Sequence, residues 1–229
     1  MINVSIEQLL RNNYMDGTYN THVSMTKPLG SFYFGNKVRE TFWESYNERI
    51  NENPDVVLGI AECPQNEIPI IVDIDLKIED DGSIEFDKHL YSEEQLDQVI
   101  QAYQSVLRNV IEDCTDNNLM CIVLEKDPYY ITTGETSFVK NGFHLHFPSI
   151  FVSRQDMAVH ILPRVQKVIK DLKVFESLGI EDSSTVVDDA VIRNPWLVYG
   201  SRKSPDMDSY VVTQVVNSEG ERVDLEEAF

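Results

Sequence analysis

The chain has 229 residues, 42% of them hydrophobic and 10% aromatic, which is long enough to bury a sizeable core and too apolar for a disordered tail. Its 39 acidic residues against 19 basic ones give a net charge of −20, which excludes a wide electropositive face and tight polyanion binding by this chain alone, though not a small basic pocket. No apolar run reaches membrane-spanning length, and the start "MINVSIEQLLRNNY" lacks the basic-then-apolar layout of a signal peptide, so an intracellular protein without membrane contact is expected.

In chain order, Ser5 followed by Gln8 is a capping-box pattern and predicts a short helix through "IEQLLRNNY". Asn36 can cap a second helix whose Val38, Phe42, Trp43, Tyr46 and Ile50 share a face. Ser92 with Gln95 repeats the cap before the strongest periodic stretch, Leu96, Val99, Ile100, Tyr103, Val106, Leu107, Val110 and Ile111. A further helix is expected from Ser153, with Val159, Ile161, Leu162, Val165, Val168, Ile169 and Leu172 inward and Pro163 starting its main body or kinking it. Between the helices, "VVLGIAE", "IPIIVDIDL", "LMCIVLE", "SFVKNGFHLHF", "STVV", "WLVYG" and "YVVTQVV" are apolar runs of strand length. The acidic stretch "KIEDDGSIEFDKH" predicts a hairpin or loop and is the best candidate boundary. The alternation predicts an α/β (α+β) chain with a mixed, largely antiparallel sheet flanked by helices. Cys63, Cys114 and Cys121 are odd in number and far apart, so reduced thiols are expected.

Three clusters carry chemistry. Asp73 and Asp75, inside "PIIVDIDLK", fall on one face of a strand, with the residues from Ile71 to Leu76 supplying apolar partners on the other. Two same-face carboxylates repel unless a cation lies between them, and magnesium or manganese suits such oxygen donors. In "KNGFHLHFP", Lys140 is followed by an expected glycine-containing bend at Asn141 and Gly142, then by His144 and His146 on one face of a strand. His144, beside the glycine, is the better placed to reach an anion; His146 reads as a core residue. Two histidines with two aspartates could also hold iron or zinc. In "VVDDAVIRNPWLVYGSRK", Asp188 follows a short strand, and Gly200, Ser201, Arg202 and Lys203 set a hydroxyl and two cations at the end of another. Glycine permits close backbone approach there, and lysine and arginine donate to phosphate oxygens.

In this order, the three clusters resemble the archaeo-eukaryotic primase superfamily, and most closely the primase domain of the helicase-primases of large nucleocytoplasmic DNA viruses. The acidic pair matches Asp73 and Asp75, the small-x-histidine motif matches Gly142, Phe143 and His144, and the hydrophobic-acidic motif matches Val187 and Asp188, with Gly200, Ser201 and Lys203 following. Asp189 competes with Asp188 for the third acidic role, and Asp188 is preferred on the match.

The resemblance spans roughly positions 30 to 205. It implies an RRM-like catalytic core in two sublobes, so that residues 1–229 are one primase catalytic domain, the N-terminal part of a longer helicase-primase. The implied reaction is template-directed nucleotidyl transfer making primers from nucleoside triphosphates, with primer-extending polymerase activity as an open addition. Asp73, Asp75 and Asp188 would hold two Mg2+ or Mn2+ ions, and His144 and Lys203 would grip the triphosphate, with Ser201, Arg202 and Lys140 assisting. The implied partners are a single-stranded DNA template, held weakly by this chain alone, and a helicase domain in the same chain or complex; a viral member would work in the host cytoplasm, in a viral factory, or in the nucleus. A metal-dependent DxD glycosyltransferase and an inactive primase-like nucleotide-binding module are the alternatives.

Overall fold

The computed structural model describes residues 4–17, 19–52, 57–80, 82 and 88–228. In chain order it contains α1 (Ile6–Asn12), β1 (His22–Ser24), β2 (Gly30–Phe32), α2 (Asn36–Glu52), β3 (Ile60–Glu62), β4 (Glu67–Glu79), α3 (Glu93–Val110), β5 (Cys121–Glu125), β6 (Tyr129–Thr133), β7 (Thr136–Ser153), α4 (Arg154–Asp156), α5 (Leu162–Asp171), β8 (Trp196–Leu197), β9 (Val211–Val216) and α6 (Leu225–Ala228). The chain divides into two compact units, Met1–Gln65 with Arg193–Tyr210, and Asn66–Ile192 with Val211–Phe229. Each unit has its own sheet, and every strand pairing among the described residues is antiparallel.

The first unit is built on a four-stranded sheet in the order β2-β1-β3-β8. Ser5 caps α1 by accepting from the Gln8 N–H at 3.3 Å, while the Gln8 side chain donates forward to Asn12 and leaves the box half made. Asn36 is the first residue of α2 rather than its cap. The Gly35 carbonyl accepts from the Val38 and Arg39 N–H groups and starts the helix one position earlier than expected. The predicted face of α2 is the buried one. Phe42 and Tyr46 join Ile6, Leu10, Phe32, Phe34, Leu58 and Ile60 in the core, with Val38, Trp43 and Ile50 packed at its margin.

The second unit holds the five-stranded sheet, β4-β7-β5-β9 with β6 paired to β7. β7 is 18 residues long; its first part pairs with β6, its middle with β5, and nearly all of it with β4. Pro69 sits in β4 at a register shift, where an edge strand tolerates the missing N–H. Val72, Ile74 and Leu76 of β4 and Phe143, Leu145 and Phe147 of β7 are buried on one sheet face, and Tyr103 of α3 stacks on Phe147 there with ring centroids 6.2 Å apart.

The Ser92–Gln95 box is complete, and α3 buries the predicted stripe as far as Leu107; Val110 lies at the exposed end of the helix. Ser153 caps α4 by accepting from the Asp156 N–H, and one π turn (Met157–Ile161) then leads into α5, whose first turn contains Pro163. That turn adds a residue to the helical repeat. Met157, Ile161, Leu162, Val165 and Ile169 therefore point inward, while Val159 and Leu172, expected inside, are exposed.

"STVV" is not a strand: Ser183–Val186 form a 3-10 turn, and Val187 makes a single antiparallel bridge to Ile74 on the outer edge of β4. Three strands escaped the sequence reading, β1, β2 and β6. Positions 81 and 83–87 of the predicted acidic loop lie outside the described residues. All three cysteines are free, and complete burial pushes the Cys121 thiol far above the ordinary range. Among the described residues, no helix is long and apolar enough to cross a membrane.

Candidate active site

The face of the second sheet opposite α3 collects the acids. Alternation puts Asp73, Asp75 and Lys77 of β4 on that face, and register sets them against His144, Gly142 and Lys140 of β7. His144 Nε2 lies 3.6 Å from Asp73 Oδ1, and Lys140 Nζ lies 2.6 Å from Asp75 Oδ2. Burial pushes the Lys140 ammonium down, but its hydrogen bond to Asp75 and the charges of Asp75, Tyr129 and Asp73 hold it above the usual lysine value. The Tyr129 phenol, opposite Lys140 on β6, is raised by burial and by the two aspartates.

The expected bend at Asn141 and Gly142 is absent, because β7 runs straight through both residues. Gly142 is required for packing and not for flexibility. A Cβ at this position would stand 1.8 Å from the Ile74 backbone oxygen, so only glycine lets β7 approach β4 this closely. Asn141 is buried and fixes the strand from its other face: its Oδ1 accepts from the Leu90 N–H at 2.9 Å, and its Nδ2 donates to the Lys126 carbonyl at 3.2 Å. Beside it, the buried Glu125 carboxylate accepts from the Tyr91 hydroxyl at 2.5 Å and from the Thr213 hydroxyl. The sequence reading missed this network, since nothing local marks Glu125 or Asn141 as inward-facing.

The third acid comes from far along the chain. The Asp188 N–H donates to the Asp73 carbonyl at 3.0 Å, next to the Val187–Ile74 bridge, which makes Asp188 the cross-strand neighbour of Asp73. Asp188 Oδ1 accepts from the Ala190 N–H at 2.8 Å and so starts the following 3-10 turn, in which Asp189 is the exposed first residue. His146, on the same face between Ile71 and Ile122, has its pKa lowered by burial, in keeping with a core role.

Asp73, Asp75, Asp188, His144 and Lys140 are thus gathered on one sheet face. Their side chains do not form a closed cage: among the described residues, no three His, Cys, Asp or Glu side chains form a metal-holding group. Asp75 is engaged by Lys140, and Asp188 by its own turn. The donors nevertheless suit a hard cation, being carboxylates on neighbouring backbone positions whose Cβ atoms stand about 5 to 7 Å apart across and along strands.

Ser201, Arg202 and Lys203 belong to the first unit. Gly200, at φ +81°, turns the chain after β8. Ser201 is buried, and its hydroxyl is taken by the Tyr46 hydroxyl at 2.9 Å and the Ile60 N–H at 3.0 Å. Ser201 thus pins the loop, with the Arg202 N–H bonded to the Leu58 carbonyl, while Lys203 is exposed. The Arg202 Nε is buried with no hydrogen-bond partner among the described residues.

This arrangement and the sequence together define the class. Residues 21–216 match the family described as the C962R protein N-terminal AEP domain, and the chain belongs to this archaeo-eukaryotic primase family. It is similar to the putative helicase 121R of Invertebrate iridescent virus 3, at 31% identity over 216 residues, covering 91% of this chain and 22% of that protein. It is also similar to the putative helicase 184R of Invertebrate iridescent virus 6, at 28% identity over 91% of this chain and 23% of that protein. The putative helicase L207/L206 of Acanthamoeba polyphaga mimivirus is 26% identical over 84% of this chain and 19% of its own length. The chain spans about a fifth of the length of these relatives.

Proposed function

We propose that this domain is a DNA-dependent primase, joining nucleoside triphosphates on a single-stranded DNA template beside a helicase. The observation that carries the reading is the Asp188-to-Asp73 backbone bond, which sets a carboxylate from 115 positions further along the chain beside the acidic pair and opposite His144.

Asp73, Asp75 and Asp188 are the residues to hold two Mg2+ or Mn2+ ions. Bound there, such ions lower the pKa of an attacking 3′-hydroxyl and stabilise charge on departing pyrophosphate. Lys140 supplies a cation and His144 a hydrogen-bonding ring on the same face, and the two would hold the triphosphate. Asp75 would hold a cation in place of the Lys140 ammonium, which would then be available to a phosphate. Arg202 and Lys203, in the first unit, are phosphate donors by their chemistry, on a loop whose shape depends on buried Ser201. The net charge of −20 fits a domain that leaves most of the template affinity to a neighbouring helicase.

The test is incorporation of labelled nucleotides on single-stranded circular DNA, with Mg2+ and Mn2+ compared. Asp73→Asn or Asp75→Asn lowers synthesis about a thousandfold or more while the protein stays folded, whereas His144→Ala chiefly raises the nucleotide KM. Full activity in either aspartate variant overturns the assignment.

A further inference from the structure

Beyond the acids, the same sheet face continues into a patch that the phosphate-binding reading does not use. Register aligns Lys77 of β4, Lys140 of β7 and Tyr129 of β6 in one row, and Glu79, Phe138 and Ile131 in the next row of that face. Lys77 Nζ lies 4.0 Å from the centre of the Phe138 ring, and Lys126 Nζ lies 4.7 Å from the centre of the Tyr129 ring. Both rings are half-buried; Lys77 is exposed, and Lys126, itself half-buried, directly follows the end of β5. In a chain of net charge −20, this places Lys77, Lys140 and two aromatic rings in the two rows that follow Asp75, with a third lysine, Lys126, against one of the rings.

The geometry points to this patch, Lys77, Lys126, Tyr129 and Phe138, as the track that holds a single-stranded nucleic acid leading into the active site. The inference rests on the nucleotidyl-transfer reading of the neighbouring acids and names residues that reading leaves without a role. Rings flanked by cations are what a single strand needs, because bases stack on any aromatic face and phosphates take the cations whatever the sequence. Each lysine can leave its ring for a phosphate as a base takes its place, since a cation–π contact at an exposed site is weak.

Charge complementarity selects the occupant. A peptide partner attracted to three lysines would itself be acidic and would meet Asp73, Asp75 and Asp188 at the end of the track, whereas a nucleic acid reaches those acids together with the cations it carries. Two rings in successive rows also provide two platforms, where the base of a lone nucleotide occupies one. Glu79, opposite Phe138, marks the far end of the track.

The experiment is fluorescence anisotropy of a labelled oligothymidylate with this chain over a salt series, without nucleotide or metal. Tyr129→Ala and Phe138→Ala each weaken binding about tenfold, while Tyr129→Phe, which keeps the ring, binds as the parent does. Lys77→Gln and Lys126→Gln each reduce the slope of log affinity against log salt by about 0.7. Unchanged oligonucleotide affinity in both ring-to-alanine variants overturns the track. So does a Tyr129→Ala variant whose only defect is a raised nucleotide KM, because the ring then serves the nucleotide. Binding is read without catalysis, so an active Asp73→Asn protein, which sinks the primase reading, is a separate result from a track that fails to bind.

Discussion

Two histidines, one on a strand of each unit, show how the same side chain is given opposite tasks. His22 of β1 is 3% exposed, enclosed by Phe34 and Phe42 with ring centroids at 4.9 Å and by Trp43 at 6.3 Å. Its Nδ1 shares a hydrogen bond with the Thr21 hydroxyl at 3.0 Å, and its Nε2 has no partner among the described residues. Burial first, and the charge of Arg39 second, push its pKa down to about 4, so it is a neutral part of an aromatic core. His144 of β7 stands instead on the face that carries the carboxylates, 3.6 Å from Asp73. What separates a packing histidine from the one proposed to bind phosphate is the company each keeps across the sheet, rings in one case and acids in the other.

The contrast can be broken most severely at Gly142. Gly142→Ala puts a methyl group where the Ile74 carbonyl already lies, and the overlap should destabilise the chain by about 3 kcal/mol through forced separation of β4 and β7. Thermal melting measures the loss, and nucleotide binding should fail with it because Lys140, His144 and Asp73 depend on that register. Normal melting in this variant would mean that the two strands lie further apart than described.

A pH titration sharpens the other side of the comparison. As pH falls below the ordinary histidine value of 6.5, the unfolded chain takes up a proton that folded His22 refuses until about pH 4. Stability is therefore lost through that window, by about 3 kcal/mol in all, and is fully present above it. Urea unfolding at pH 7 and pH 4.5 should show this loss, and a His22→Phe variant should lose less between the two.

The smallest effect is expected at Tyr46. Its hydroxyl donates to the Tyr199 carbonyl at 2.7 Å and meets the Ser201 hydroxyl at 2.9 Å, and burial pushes its pKa up to about 12. Tyr46→Phe should cost about 1 to 2 kcal/mol by loosening the loop that carries Arg202 and Lys203, without altering the acid sensitivity set by His22. Urea unfolding measures the loss, and unchanged stability would mean that the two hydrogen bonds contribute nothing.

The elements legible in the sequence are those whose cause is local. Ser92 and Gln95 cap α3 because three residues separate them, and Leu96 to Leu107 bury one stripe because a helix repeats every 3.6 residues. Asp73 and Asp75 share a face because a strand repeats every two. β1 and β2 are only three residues long, too short for any period to register, and β6 is a polar hairpin arm whose "YYITT" alternation passed unread. The π turn before α5 has no local signature either, which is why Val159 was placed on the wrong side.

The candidate site divides in the same way. Residue types and spacing singled out Asp73, Asp75 and His144, because side-chain chemistry and strand alternation are properties of neighbouring positions, while the family resemblance chose Asp188 over Asp189. Tertiary structure decided that Asp188 pairs with Asp73, that Gly142 is a point of close packing and not a bend, that Ser201 is enclosed by Tyr46, and that Tyr129 and Phe138 join the same face. Each of these depends on hydrogen bonds or steric overlap between segments remote in the chain, and such pairings are fixed only when the sheet closes and the backbone groups of distant strands find one another.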